Sequence, residues 1–304
     1  RLVGCALDFP SDLYALEAHV RRAGLDPAEH LVLVGDRDGV VDEDDLIAAL
    51  DERAALAVFS AVLYRSGQLL AMPRLAAAAR ERGVVLGFDL SHSVGVVPHR
   101  LSDWGVDFAV WCNYKYMNGG PGAVAGLYLN RRHHHLRPPL AGWWGVDKRR
   151  QFEMLPQYIP AVGAAAWQIS TPSILSLAAV EGALDTIEQA GIGRIRAKSQ
   201  ALTAFLIDLI DEYLAGFGFR IGTPRDPDRR GGHVALCHPD AARIAAALRG
   251  LGVVPDFRPP DVIRLAPSPL YTRFEDVWRV VHLLREMMRQ RLHADVAVPE
   301  GTVT

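Results

Sequence analysis

The alternation of strand and helix patterns along the first part of the chain restricts its fold more than any other feature. Short apolar runs predict buried strands at 30–35, 54–64, 84–90, 106–115 and 123–130. Between them, amphipathic stretches predict helices at 11–24, 42–52 and 72–83. Ser11 is expected to cap the first of these helices, which would end at Gly24. Strands that alternate with helices form parallel sheets, so we predict an α/β fold with a mostly parallel sheet and helices on both faces.

The second half of the chain has a different pattern. Residues 131–172 carry Pro, Gly, Trp and His throughout and predict irregular loops, while 173–214 predicts two helices that break near Gly191. Short strand patterns between 218 and 266, with two further helices, predict a smaller α+β unit. We therefore expect two domains, at 1–192 and 193–304. The stretch "PRDPDRRGG" at 224–232 predicts an exposed loop.

Composition excludes several classes of function. The chain has 304 residues, 50% of them hydrophobic, and a formal net charge of −2. A nucleic-acid partner is not expected, because such proteins carry a clear basic excess. No apolar stretch is long enough to span a membrane. The start has no signal-peptide order and no initiator Met, so we expect a segment to be missing upstream. The cysteines Cys5, Cys112 and Cys237 are far apart, which fits a reducing cytoplasm and three small buried residues.

Lys115 is the residue that most needs a chemical explanation. It follows an apolar run and precedes a glycine-proline stretch, in "AVWCNYKYMNGGPG". A lysine at the end of a buried strand costs free energy unless it is paired or used, and its uses include Schiff-base chemistry with a carbonyl substrate or pyridoxal phosphate. Asp89 ends a neighbouring strand, and His92 follows it in the loop. Ligands of open α/β sheets bind beyond that edge, so the three side chains would converge on one crevice.

Each of these residues also has an ordinary structural interpretation. Asp89 could cap a turn, His92 could bond to backbone, and Lys115 could extend into solvent at a strand end. Their occurrence together at strand ends, with glycine-rich backbone following, favours the catalytic interpretation.

The run "FDLSHSVG…WGVDFAVWCNYKYMNGGPGAVAGLYL" resembles the kynureninase family of fold-type I pyridoxal-phosphate enzymes. Further segments resemble that family in the same order: "DFPSDLYALE", "VFSAVLYRSGQ", "AGWWG", "QISTPSIL" and "VIRLAPSPLY". The most specific part is the run around Lys115. Cysteine desulfurases and related enzymes usually have His before the lysine, where this chain has Tyr114.

The resemblance implies a role for each matching residue. Lys115 would bind the cofactor covalently and move protons, Asp89 would pair with the pyridinium nitrogen, and Tyr114 would be a proton donor. Arg264 would bind the substrate α-carboxylate, although on the sequence it could equally pair with Asp256 or Asp261. The remaining residues expected to hold the cofactor are Phe9, Pro10, Ser11, Asp12, Ser60, His92, Trp143 and Thr171. Thr171 could instead cap the helix that follows.

The implied activity is hydrolysis of L-kynurenine to anthranilate and L-alanine in tryptophan catabolism, the kynurenine pathway and NAD biosynthesis. The resemblance leaves open whether 3-hydroxykynurenine is a second substrate. In this family the loops with Trp143 and Thr171 approach the neighbouring subunit's cofactor, so a cytoplasmic homodimer is implied. Two alternatives stay open. One is another fold-type I enzyme, such as a cysteine desulfurase, β-lyase or aminotransferase, and the other is an inactive fragment of such a fold.

Two further motifs are interpreted as structural. Adjacent histidines at 133–135 cannot all face one ion, and no partner pattern lies nearby, so no metal is expected. The stretch "GGPGAVAG" follows the lysine and not a first strand, so it is not a dinucleotide-binding fingerprint.

Overall fold

Six strands of the N-terminal half form one sheet in the computed structural model, which describes residues 1–298. The strands are β1 Leu2–Cys5, β2 Leu31–Val34, β3 Leu56–Ser60, β4 Val85–Asp89, β5 Phe108–Trp111 and β6 Gly126–Leu129. The helices between them are α1 Pro10–Arg22, α2 Pro27–His30, α3 Glu43–Ala49, α4 Met72–Glu81 and α5 Leu101–Trp104. The strand order is β2-β1-β3-β4-β5-β6, and every neighbouring pair is parallel except β5 with β6. The predicted α/β fold with a mostly parallel sheet is confirmed.

The apolar residues of the central strands build the core of this sheet. Phe59 on β3 and Phe88 on β4 are fully buried, and Leu75 of α4 packs into the same cluster. A strand buried on both faces has a nearly continuous apolar sequence, as "LAVFS" and "VLGFD" show. Gly87 is required within β4, because a Cβ there would lie 2.2 Å from the ring of Phe108.

The second half of the chain forms a smaller antiparallel sheet with its own apolar cluster. Its elements are α6 Ile174–Ala190, α7 Ile192–Tyr213, β7 Arg220–Ile221, β8 Val234–Cys237, α8 Ala241–Gly250, β9 Asp256–Arg258, β10 Val262–Leu265 and α9 Phe274–Arg289. The strand order is β7-β8-β10-β9. The helix break at Gly191 is confirmed, with φ of 79°. The division into 1–192 and 193–304 stays a prediction, and residues 299–304 lie outside the described part of the chain.

Several predicted boundaries were wrong. Ser11 does not cap α1, which begins at Pro10 with Phe9 as N-cap and no side-chain bond. The fifth strand ends at Trp111, so Lys115 lies in the loop after it. The alternative interpretation of Thr171, as the cap of α6, does not apply, because the N-cap is Ser173. In residues 1–298, no helix is long and apolar enough to cross a membrane.

The stretch 224–232 is only half exposed, because its C-terminal end folds into the structure. Arg230 is 1% exposed. Its guanidinium donates to Thr203 Oγ1 (2.9 Å) on α7 and to the carbonyl oxygen of Arg225. The N–H of Gly231 donates to Gly67 O at 2.8 Å, which ties this stretch to the loop after β3. Charge and proline content predicted exposure, but the buried guanidinium finds its acceptors within the same loop and the adjacent helix.

Replacing Arg230 with Met should lower the free energy of unfolding by about 2–4 kcal/mol, because it leaves buried acceptors without a donor. The matched control is Arg225→Gln. Arg225 is exposed and pairs with Asp211 at 2.6 Å, so its loss should cost less than about 1 kcal/mol. Urea unfolding of the three proteins measures both values. Equal stabilities of the two variants would show that Arg230 does not support the fold.

Candidate active site

The residues predicted to carry the chemistry follow the carboxyl ends of neighbouring strands. β3 ends at Ser60 and β4 at Asp89, and these two residues are register partners. β5 ends at Trp111, four residues before Lys115. The loop after β4 packs against the loop that carries Lys115. Gly95 has φ of 84°, and a Cβ there would lie 2.7 Å from Tyr116 O. The backbone around Lys115 is therefore closely supported.

A cavity of about 540 Å³ opens beside Lys115, between this sheet edge and the smaller sheet. Five of the predicted site residues line it, namely Phe9, His92, Tyr114, Lys115 and Arg264. Seven residues that the sequence did not single out line it as well, namely Tyr116, Asn118, His233, Arg258, Ala266, Ser268 and Tyr271. The fold thus brings the central predicted residues together around one space.

Lys115 is half-buried, and burial lowers the pKa of its amine. Cys112 and Asp89 act in the opposite direction and Arg264 in the same direction. The amine lies 5.8 Å from the ring centroids of Phe9 and Tyr114. A lowered pKa leaves more of the amine unprotonated near neutral pH, which is the form that attacks a carbonyl carbon.

Cys112 was predicted to be a buried apolar residue, and this was wrong. It is only partly buried, unlike Cys5 and Cys237. Its thiol adjoins Lys115, and its hydrogen bond with Tyr114 is the main reason that the pKa of the Tyr114 phenol is raised. The raised pKa keeps Tyr114 protonated and able to donate.

The carboxyl groups of Asp8, Asp12 and Asp89 lie close together beside Lys115. Asp8 accepts from the N–H groups of Cys5 (2.7 Å) and Ser60 (2.8 Å), and burial raises its pKa to about 6. Burial and then the neighbouring Asp89 raise the pKa of Asp12 to about 7. Among the described residues, the buried Oδ2 of Asp12 has no hydrogen-bond partner. Asp8 was missed, although it directly precedes the Phe9 segment.

This cluster of acids fits a positively charged ligand nitrogen. An unpartnered buried carboxylate oxygen needs a donor, and a nearby positive charge would stabilise the charged forms of Asp8 and Asp12, whose pKa values burial raises. The protonated ring nitrogen of pyridoxal phosphate supplies both. The residues present therefore fit the cofactor.

In the cofactor-free protein, Asp12→Asn should increase stability, and increasingly so as the pH rises. The pKa of Asp12 is about 7 in the fold and 3.8 ordinarily. The folded state holds the proton more tightly, so wild-type stability is lost as the pH rises from about 4 to about 7. Asn cannot ionise, so the variant does not lose this stability as the pH rises. Its free energy of unfolding should exceed that of wild type by about 2 kcal/mol at pH 8, after allowance for partial exposure and solvent screening.

Thermal unfolding at pH 5 and pH 8 measures this gain. A gain independent of pH would contradict the assignment of the proton to Asp12.

Phe9 reaches the cavity because α1 begins directly after it. Pro10 occupies the first turn of α1, where its missing N–H costs nothing, and Ser11 and Asp12 follow. The Phe9 ring is 36% exposed and meets Tyr64 edge-on, with 5.2 Å between centroids. It is therefore available to stack on a flat ligand.

Two histidines, His92 and His233, also line the cavity. Burial, with Lys115 as the next cause, lowers the pKa of His92 well below its usual value. Burial also lowers the pKa of His233 to about 3, and the two ring centroids are 6.1 Å apart. Both rings are neutral at physiological pH. His233 was missed because nothing in the sequence around β8 separates it from a core residue.

Arg264 lies on β10 and is held from two sides. Its Nη1 donates to Tyr64 O at 2.6 Å, and its Nη2 donates to Asp256. The sequence left pairing with Asp256 or Asp261 open. Asp256 is the partner, whereas Asp261 pairs with Arg65 at 2.7 Å.

Seven predicted site residues do not line this cavity. Asp89 ends β4, and Pro10, Ser11 and Asp12 begin α1. The other three are Ser60, Trp143 and Thr171. Ser60 is buried and its N–H and side chain are bonded to Asp8. Trp143 lines a separate cavity of about 310 Å³ and meets Phe152 edge-on at 5.9 Å. Thr171 is exposed. Their roles toward the cofactor stay predictions.

The adjacent histidines have partners within the fold. His133 bonds to the buried Asp107, which also accepts from Arg132, and His134 contacts Leu129 O at 3.3 Å. No group of three or more His, Cys, Asp and Glu side chains able to hold a metal occurs within residues 1–298. The absence of a metal cofactor stays a prediction.

Comparison with known proteins extends this picture. Residues 195–284 match the family model of the kynureninase C-terminal domain. A kynureninase from Geobacillus thermodenitrificans is 51% identical over 292 residues, which are 96% of this chain and 68% of that protein. One from Bacillus thuringiensis is 50% identical over 290 residues, covering 95% of this chain and 68% of that protein.

Solved structures share the fold at low identity. The cystine C-S lyase C-DES in complex with cysteine persulfide matches with a TM-score of 0.81 at 19% identity, over 94% of this chain and 74% of its own. This confirms the fold-type I architecture and nothing finer. The identity to the two bacterial relatives is far above that level and extends over nearly the whole chain, and on this basis the chain belongs to the kynureninase family.

Proposed function

We propose that the protein hydrolyses L-kynurenine to anthranilate and L-alanine, with pyridoxal phosphate as cofactor. The observation that carries the proposal is the cavity lined by both Lys115 and Arg264, with Asp89 and Asp12 close to Lys115. These groups supply an amine, a site for a pyridinium nitrogen and a site for an α-carboxylate. Relatives about 50% identical bear the name kynureninase.

The residues around the cavity would divide the binding of the cofactor between them. Lys115 would attach to it through Nζ, and Asp89 and Asp12 would hold the proton on its ring nitrogen. Phe9 and His92 would flank the ring. When bound, pyridoxal phosphate supplies an electron sink for negative charge that develops on substrate carbon.

The same residues would position the substrate and move its protons. Arg264 would bind the α-carboxylate, where a planar guanidinium can form two parallel hydrogen bonds. Lys115 Nζ would take the proton from the α-carbon. Tyr114, which stays protonated, would return a proton to the β-carbon. In the overall reaction the Cβ–Cγ bond breaks, Cγ takes the hydroxyl of water, and Cβ takes a proton.

A homodimer is part of this proposal. Large apolar side chains are exposed between residues 152 and 177, where Phe152, Val162, Ile174 and Leu175 are 74–86% exposed. Exposed apolar areas of this kind are typical of protein interfaces. Pairing through this surface would cover it and would bring Trp143 and Thr171 to the partner's site.

Leu175→Glu should therefore dissociate the dimer and reduce activity at least about tenfold, because a charge would be buried at the interface. Light scattering after gel filtration measures the mass, and Glu181→Gln on the same helix is the control. A wild-type protein that is monomeric and active would contradict the dimer.

The decisive test of the activity is product identity. Purified protein with pyridoxal phosphate and L-kynurenine should release anthranilate and alanine in equal amounts. The same protein with L-cysteine should release no sulfide. Sulfide from cysteine, or consumption of kynurenine without anthranilate, would assign the protein to another reaction.

A further inference from the structure

The strand pairing of the smaller sheet places three charges in a row along one wall of the cavity. Asp256 and Arg258 are two residues apart on β9, so their side chains share one face. Arg264 on β10 is the register partner of Asp256. Arg258 Nη2 donates to Asp256 Oδ2 at 3.0 Å, and Arg264 Nη2 donates to the same oxygen. We call Arg258, Asp256 and Arg264 the charge row.

The charge row has few other partners. Within residues 1–298, Asp256 is the one carboxylate that pairs with either arginine. Arg258 Nε and Asp256 Oδ1 are buried and have no hydrogen-bond partner in the same residues. The Arg258 guanidinium carbon lies 5.9 Å from the ring centroid of Tyr64. Arg258 is therefore held beside Asp256 and Tyr64, and no second carboxylate from the described part of the chain pairs with it.

The charges of the row do not cancel, and this bears on ligand binding. Arg264 and Asp256 alone would form a neutral pair with little attraction for a carboxylate. Arg258 restores a net charge of +1, and arginine stays protonated even where burial lowers its pKa, as it does here for both arginines.

We infer that Arg258 is a positioning residue for the substrate α-carboxylate, and that it acts by neutralising Asp256 so that Arg264 keeps its attraction for the ligand. The inference rests on the proposed function for the identity of the ligand. Asp256 fixes the orientation of the Arg264 guanidinium through one nitrogen, while Tyr64 O holds the other.

The test uses two ligands that have the kynurenine skeleton without its amines. 3-Benzoylpropionate carries the carboxylate, and 3-benzoylpropionamide is its neutral counterpart. Calorimetric binding to the full chain loaded with pyridoxal phosphate needs no turnover. The proteins compared are wild type, Arg258→Gln, Asp256→Asn, the double variant, and Arg279→Gln as an exposed control.

In Arg258→Gln, affinity for the carboxylate should fall about tenfold, as expected for removal of one nearby charge in a partly buried site. Affinity for the amide should change less than about twofold, since the amide carries no charge. Adding Asp256→Asn should recover most of the loss, because the net charge returns to +1. Arg279→Gln should match wild type.

If Arg258→Gln lost affinity for the carboxylate and for the amide equally, the inference would be overturned, since this would indicate a merely structural role for Arg258. A double variant no better than Arg258→Gln, or a wild type that prefers the amide, would also overturn it. A wild type that shows the expected pattern but forms no anthranilate would contradict the proposed function and leave the charge row supported.

Discussion

Replacing Lys115 with Ala should lower kcat for anthranilate formation by at least about 10³-fold, because one side chain both attaches the cofactor and moves the α-proton. The fold should persist. Lys115 is half-buried in a loop and is not part of either large apolar cluster. The rise of anthranilate fluorescence measures the rate.

The chain offers a close control, because it contains three lysines. Lys148 is exposed, donates to Trp144 O and lies over the Trp144 ring at 3.9 Å. Lys148→Ala should retain activity within about twofold, as is usual for a surface substitution. Near-normal activity in Lys115→Ala would remove Lys115 from the mechanism.

Asp89→Asn should lower kcat by about 10²–10⁴-fold and weaken cofactor binding, because the amide keeps the shape of the carboxyl but not its charge. Asp89 ends β4, which pairs with β3 and β5, and its Oδ1 accepts from Ser91 N at 2.8 Å. Asn can keep that bond. The loss should therefore appear in activity and cofactor affinity and not in folding.

Asp45→Asn is the matched control, since Asp45 is an exposed acid on α3 that pairs with Arg37 at 2.9 Å. Spectroscopic titration with pyridoxal phosphate and the anthranilate assay measure the two effects. Full activity with normal cofactor affinity in Asp89→Asn would contradict the pairing with the pyridinium nitrogen.

The fold was predictable from the sequence where the spacing of apolar residues and the residues that end an element indicate the same secondary structure. The runs "LAVFS" and "VLGFD" are short and apolar and end in polar residues, so β3, β4 and their common edge followed directly. Predictions failed where tertiary contacts override local composition. Arg230 lies in a charged, proline-containing loop, yet it is buried because α7 offers it acceptors.

The central site was predictable because Asp89, His92 and Lys115 lie close to strand ends, and parallel strands share an edge. Several of the residues that were missed come from the C-terminal half of the chain. Arg258 and His233 reach the cavity only through the way in which the two halves of the chain meet, and no local pattern encodes that. Asp256 was considered only as a partner of Arg264, and its place between two arginines follows from the register of β9 and β10.

The most direct test of the central claim is to locate the cofactor on the chain. Borohydride treatment of the protein loaded with pyridoxal phosphate makes the lysine linkage irreversible, and peptide mass mapping then identifies the modified residue. The predicted result is one modified lysine, Lys115, in wild type and none in Lys115→Ala. Modification of Lys148 or Lys198 with Lys115 unmodified would contradict the account.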